Sequence, residues 1–341
     1  MSVDNFWNMP PAAPERGPKD GPLLVPKAGG DRVEYTRASG LCSHIKNLTH
    51  IHTWEMRYLA IAMGQNPDLA ALAAAETYST GPETEFFNSE ENRAKTQSGK
   101  RVDQIIERAL DRRRIHEKAD RGTTFHALTE PDAPTGPLIP ESLQVPLQEF
   151  EEVNRRECIE SLGVEMFAAN DVTRTAGTFD RAVKIHGHPL FGDKIVISDI
   201  KTGRFDPVSW AVQISTYAYG DRYDTDTDQR IPWPGEVDLE HALVWQVDCK
   251  DYASVGRPEP KAGRIKLWVV NIRIGWELAQ LAAKVRDLTE DKKEMAEKYR
   301  SPDFEERLAL SNTREALTAL WHSLEDGDAL RAAVEEKGKA L

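Results

Sequence analysis

Residues 177–220 read GTFDRAVKIHGHPLFGDKIVISDIKTGRFDPVSWAVQISTYAYG. The apolar-rich run from Thr178 to Ile185, a turn of His, Gly and Pro, and a second run from Lys194 to Ile200 predict a β-hairpin. A break at Gly203 and Pro207 then open an amphipathic helix. Asp199 and Lys201 are two apart, so both side chains leave one strand face, and Asp180 on the preceding strand reaches that face across the pair. Two carboxylates and a lysine aimed at one place suit metal-assisted hydrolysis. A phosphodiester repels hydroxide, so hard oxygen ligands such as Asp180 and Asp199 are needed to hold Mg²⁺ or Mn²⁺ against the phosphate. The compact ammonium of Lys201 would steady the attacking water and the developing negative charge.

Alone, Asp-x-Lys at a strand end describes a solvated edge more often than a catalytic site. Its neighbours change the balance. Gln213 and Tyr217 stand at i and i+4 on the helix that begins near Pro207 and present one polar face toward the strand ends. Upstream, RGTTFHALTE places His126 in a helix after Gly122.

In chain order this set resembles the RecB-like branch of the PD-(D/E)xK nuclease superfamily: Gly122 and His126, Gly177 and Asp180 in GTFD, Asp199 to Gly203 as DIKTG, and Gln213 with Tyr217 in QISTY. The resemblance implies that His126, Asp180 and Asp199 bind Mg²⁺ or Mn²⁺, that Lys201 is catalytic, and that Gln213 and Tyr217 shape the active site and contact DNA. Glu165, in GVEMFAA, matches an accessory Glu often found in the first core strand of that branch, with a solvent-facing strand residue as the competing reading. The likeness covers residues 120–275 and, loosely, the N-terminal third, where Tyr35, Arg37, Ser39, Trp54 and Arg57 echo the opening of RecB-like phage exonucleases. It implies a metal-dependent deoxyribonuclease, foremost an exonuclease of DNA recombination, repair or phage replication. DNA is then the partner, with room for a recombination partner protein. The alternative is a catalytically silent nuclease-fold protein that only binds DNA or acts as a scaffold, and intact Asp180, Asp199 and Lys201 weigh against it. No GxxxxGK[ST] segment is present to cradle nucleotide phosphates.

At 341 residues, with 40% hydrophobic and 29% charged residues, the chain has an ordinary globular mix. No apolar run is long enough to span a bilayer and the N-terminus lacks a signal-like core, so a cytoplasmic location is expected, that of the host if the protein is phage-encoded. A net charge of −12 argues against indiscriminate coating of nucleic acid and requires a local basic groove. Residues 100–121 supply a candidate, a predicted helix whose polar side carries Arg108, Arg112, Arg113, Arg114 and Lys118. These are candidate contacts to the DNA backbone; the competing reading is a solvated face laced with Glu107, Asp111 and Glu117. Three separated cysteines, Cys42, Cys158 and Cys249, make no disulfide framework. They also fall short of the four that carry an iron–sulfur cluster in some RecB-like nucleases, so no cluster is expected.

Four regions are expected: a mobile tail at 1–32, an N-terminal helical region at 33–120, a nuclease core at 121–275 and a C-terminal helical extension at 276–341. Within the core, LQEFEEVNRRECIESLG reads as a helix ending at Gly163. Strands follow at Val164 to Ala169, Thr178 to Ile185, Lys194 to Ile200, HALVWQVD and RIKLWVVNIRI. The acidic stretch DRYDTDTDQR, with Asp224, Asp226 and Asp228, reads as a solvated loop. The expected class is α/β: a restriction-endonuclease-like mixed central sheet flanked by helices.

Overall fold

A computed structural model describes residues 13–46, 49–79, 97–112, 117–130, 133, 139–252, 256–290, 303–324 and 328–340. The chain divides into two compact units, residues 1–288 and 289–341. The first holds a large mixed sheet. Its strands are β3 (Thr36–Arg37), β4 (Ile159–Asn170), β5 (Thr175–Ile185), β6 (Val196–Lys201), β7 (Asp221–Asp224), β8 (Gln229–Ile231), β9 (His241–Val247) and β10 (Ile265–Asn271). They run in the order β10-β9-β6-β5-β4-β7-β8, with β3 alongside β5. β5 and β6 are antiparallel neighbours, as the hairpin pattern requires, whereas β6 and β9 run parallel. The parallel step needs a crossover, and α6 (Pro207–Ala218) lies within it.

Helices cover both faces. On one, Trp210, Ala211, Ile214 and Tyr217 of α6 pack with Phe179, Ile197 and Val244 from three strands. On the other, Phe125 of α4 (Glu117–Leu128) and Leu143, Phe150 of α5 (Glu141–Arg156) pack with Val183, Val196, Ile200 and Trp245. Phe179 and Trp245 are fully buried, each worth about 1.5–3 kcal/mol of transfer free energy. The start of α6 is fixed locally: Pro207 opens it, and the Asp206 carboxylate accepts the Ser209 N–H at 3.3 Å. Ahead of the sheet lie α1 (Thr49–Gln65), α2 (Pro67–Ser79) and α3 (Gln97–Arg112), which share a small core of Ala62, Leu69, Ile105 and Ala109.

Four expectations are corrected. First, the tail expected at 1–32 is structured from residue 13: β1 (Leu23–Leu24) pairs with β2 (Val33–Glu34), Leu24 is buried, and Glu34 accepts the N–H groups of Lys19 and Gly21 at 2.8 Å each. Second, the helix expected to reach Gly163 ends at Arg156, because Cys158 takes a left-handed φ of 52° and the chain turns into β4 at Ile159. Third, the acidic loop is a hairpin of β7 and β8. Its Asp224 accepts the N–H groups of Asp226 and Thr227, while Asp228 pairs with Arg32 at 2.6 Å and accepts the Tyr223 hydroxyl. Fourth, the boundary expected at 275/276 falls after Leu288. α7 (Ile272–Glu290) buries Ala279, Ala282 and Ala283 against Leu41 and Val212, and at Gly275 an added Cβ would lie 2.2 Å from Ala211 O.

The second unit carries α8 (Phe304–Leu310), α9 (Arg314–His322) and α10 (Leu330–Ala340) around Leu317, Leu320 and Val334. Among the described residues, no helix is long and apolar enough to cross a membrane.

Candidate metal centre

α4 brings His126 to the end of the sheet. The approach is close because Gly122, one turn earlier, has no side chain: a Cβ there would lie 2.4 Å from Thr202 Oγ1. His126 Nδ1 is 3.4 Å from Asp180 Oδ1, and Asp180 Oδ2 accepts the Ile200 N–H at 2.5 Å. The Asp180 carboxylate is thereby aimed by the strand that carries Asp199 and Lys201.

Glu165 completes the group. Val164 pairs with Arg181 and Met166 with Phe179, which sets Glu165 opposite Asp180. Glu165 itself has φ 49°, a left-handed conformation rare for a residue with a side chain, and the ladder is irregular just before it, between Ser161 and Gly163. One ligand atom from each of His126, Glu165 and Asp180 falls within 4.8 Å of the other two, and all three residues are half-buried. The residue read from the sequence as accessory thus stands among the central three, set on the Asp180 face by the β4–β5 register.

Asp199 lies deeper, 2% exposed. Its Oδ2 is 2.5 Å from Lys201 Nζ and has no other donor among the described residues. The Lys201 ammonium also donates to Gln213 Oε1 at 3.0 Å, and Gln213 Nε2 donates to the Tyr217 hydroxyl at 3.3 Å. Tyr217 packs closely over Gly177, where a Cβ would lie 3.1 Å from the phenol oxygen. The four sequence motifs therefore interlock through direct contacts.

The electrostatics suit a bound cation. Burial, with the charges of Asp180 and Glu130 next, pushes the Glu165 carboxyl up to about 7. Burial and the neighbouring Asp180 raise Asp199 against the opposing pull of Lys201. Burial alone would lower His126, but the hydrogen bond and charge of Asp180, with the charges of Asp199 and Glu165, raise it. Burial likewise raises the Tyr217 phenol, leaving it neutral. Crowded carboxylates beside an imidazole are a donor set for a divalent cation, oxygen-rich enough for Mg²⁺ and with a nitrogen that suits Mn²⁺.

Compared with known protein families and with curated protein sequences, the chain matches none.

Of the basic helix, Arg112 lies in the last turn of α3, exposed, where its Nη1 contacts Asn66 Oδ1 at 2.9 Å and Asp68 Oδ2 at 3.0 Å. Lys118 lies in the first turn of α4, and Arg113 and Arg114 lie outside the described residues. Of the helix expected over 100–121, Gln97–Arg112 and Glu117–Leu128 are described as helix, and residues 113–116 lie outside the described residues.

Sequence reasoning missed Arg181. It is 7% exposed, its Nη1 donates to Ser161 Oγ at 3.2 Å, its Nη2 donates to Thr129 O, and its guanidinium lies 5.5 Å from the Phe150 ring centre. Burial lowers its pKa while Asp180, Glu165 and Glu130 sustain its charge, so it is a permanent counter-charge behind the ligand group. The only signal was its place directly after Asp180 in GTFDR.

Proposed function

We propose that the protein is a divalent-metal-dependent deoxyribonuclease built on a restriction-endonuclease-like core of the RecB-like PD-(D/E)xK kind. The observation that carries this reading is the placement of Lys201, whose ammonium is held between Asp199 and Gln213 beside the His126, Glu165 and Asp180 group. An acidic metal group alone suits many chemistries; one with a fixed ammonium beside it suits attack by water on a phosphodiester.

In this reading His126, Glu165, Asp180 and Asp199 hold Mg²⁺ or Mn²⁺, which when bound polarises the phosphate and lowers the pKa of water. Lys201 has N–H bonds beyond those used on Asp199 and Gln213, and offers them to the attacking water and the phosphoryl oxygens. Gln213 fixes the ammonium, and Tyr217 fixes Gln213. The wider role is that of an exonuclease in recombination, repair or phage replication, acting on DNA in the cytoplasm.

The test is hydrolysis of end-labelled single- and double-stranded DNA with Mg²⁺, with Mn²⁺ and with chelator. Metal-dependent cleavage that disappears in chelator is expected. Binding without cleavage under every metal condition would leave the silent scaffold as the better reading, and neither binding nor cleavage would end the nucleic-acid reading altogether.

A further inference from the structure

We infer that the sheet surface beside Lys201 is a stacking platform for an unpaired nucleotide, with Phe205 as the ring on which the base lies. This deepens the nuclease reading and rests on it.

Lys201 on β6 is in register with Gln246 on β9, and Gln246 with Lys266 on β10. Residues directly opposite one another share a face, so the three form one row across adjacent strands spaced at about 4.8 Å. Gln246 stiffens the row's centre: its Nε2 donates to Gly203 O at 3.1 Å and its Oε1 accepts from Trp268 Nε1 at 3.0 Å. It therefore ties the loop after Lys201 to the edge strand.

That loop carries Phe205. Its ring centre lies 4.4 Å from that of Trp268 at 43° and 5.3 Å from that of Trp210 at 88°, so two tryptophans hold it, yet it remains 52% exposed. Arg204, just before it, and Lys266, at the end of the row, are both exposed. A rigid aromatic face offered to solvent, packed on β10 two strands from the proposed catalytic lysine, with exposed cations at Arg204 and Lys266, matches a nucleotide in both its parts: ring for base, cation for phosphate. A base inside a duplex already has its faces covered by neighbours, so the platform takes an unpaired one.

The experiment uses the full chain in chelator, so that binding is read without cleavage. Probes are a single-stranded oligonucleotide containing 2-aminopurine and a blunt hairpin duplex. The wild-type protein is expected to quench the 2-aminopurine on binding. Phe205→Ala is expected to weaken single-strand binding roughly tenfold and to abolish the quench, in line with base stacking on an aromatic ring. Phe205→Trp restores both, Phe205→Leu, which keeps bulk without a π face, does not, and duplex affinity stays within about twofold. Lys266→Gln is expected to flatten the salt slope by about one unit.

Wild-type affinity and quench in Phe205→Ala overturn the platform while leaving the nuclease reading intact, as do equal losses on single strand and duplex. Should the leucine and tryptophan variants bind alike, the site is merely apolar and suits a peptide. A wild-type protein that binds neither probe and cleaves neither in Mn²⁺ overturns the nuclease reading and the platform together.

Discussion

At Gly122 one added methyl group would meet Thr202 Oγ1 at 2.4 Å, with Thr202 Cβ at 3.4 Å behind it. Gly122→Ala is therefore expected to destabilise the protein by about 1–3 kcal/mol, the usual cost of overpacking. Adding Thr202→Ala removes the obstructing oxygen and is expected to recover most of that loss in a double-mutant cycle by urea denaturation. Independent effects that simply add would refute the contact. At Lys201 the expectation is kinetic: Lys201→Ala lowers kcat by at least about 100-fold, as the loss of an oriented donor does, and leaves DNA affinity in chelator nearly unchanged. Near-normal turnover would remove Lys201 from the chemistry. The ligand group also predicts a pH dependence in metal-free protein. The Glu165 carboxyl is raised from 4.5 to about 7, so its contribution to stability is full below 4.5 and is lost as pH rises through about 7. His126 is raised from 6.5, and its contribution too is present below that value and lost above it. At Glu165 burial sets the direction, with the charges of Asp180 and Glu130 next; at His126 burial is outweighed by the hydrogen bond and charge of Asp180 with the charges of Asp199 and Glu165. Metal-free Tm should thus fall from about pH 5 to pH 8, less steeply in Glu165→Gln, and Mn²⁺ should suppress the fall. A Tm that rises across that window would contradict the burial assigned here. Asp180, Asp199, Lys201, Gln213 and Tyr217 were legible in the sequence because period-2 and i,i+4 geometry suffices to bring them together. Glu165 was only half legible, since its place opposite Asp180 depends on the register of β4 against β5, which the sequence alone does not fix.

Between elements, the Asp206 carboxylate joins what its helix needs to what the rest of the unit needs. It caps α6 through Ser209 N–H and also receives the Lys46 ammonium, from the segment after the 3-10 turn Ala38–His44, which donates to Ser209 Oγ at 3.0 Å as well. Asp206→Ala is expected to cost about 1–2 kcal/mol through the lost cap, and Asp206→Asn, which can still accept from Ser209 N–H, much less. Chemical denaturation of the two variants decides; equal losses would assign the effect to the Lys46 pair instead. Helix α6 was legible because its start signal, Asp-Pro, and its apolar spacing are local. The end of α5 was not, since ECIESLG carries no proline and its only glycine lies past the true boundary, and a left-handed cysteine makes the stop. The β7–β8 hairpin escaped for a related reason. Its turn is built by aspartates accepting backbone N–H groups, and in a sequence those look the same as aspartates in water.

For the whole molecule, every residue of the ligand group lies before residue 288, and the chain from 289 onward forms its own small helical core. A protein ending at residue 288 is therefore expected to fold and to bind Mn²⁺ as the full chain does, read by the rise in Tm that the metal produces. Loss of that rise on truncation would place part of the site beyond the boundary. The order of predicted strands and helices pointed to the α/β class but could not show that the N-terminal segment joins the sheet, because the partners that hold it are remote in sequence. Tyr35 donates its hydroxyl to Asp171 at 2.6 Å, and Arg286, buried on α7, donates to Thr36 Oγ1 at 2.9 Å across 250 residues of chain. That last contact bears on how the protein is born. The strand at residues 36 and 37 leaves the ribosome early, yet the guanidinium that fastens it is made 250 residues later. At about 5–20 residues per second the wait is roughly ten to fifty seconds, during which that strand must hold its place in the nascent sheet without the contact that fastens it.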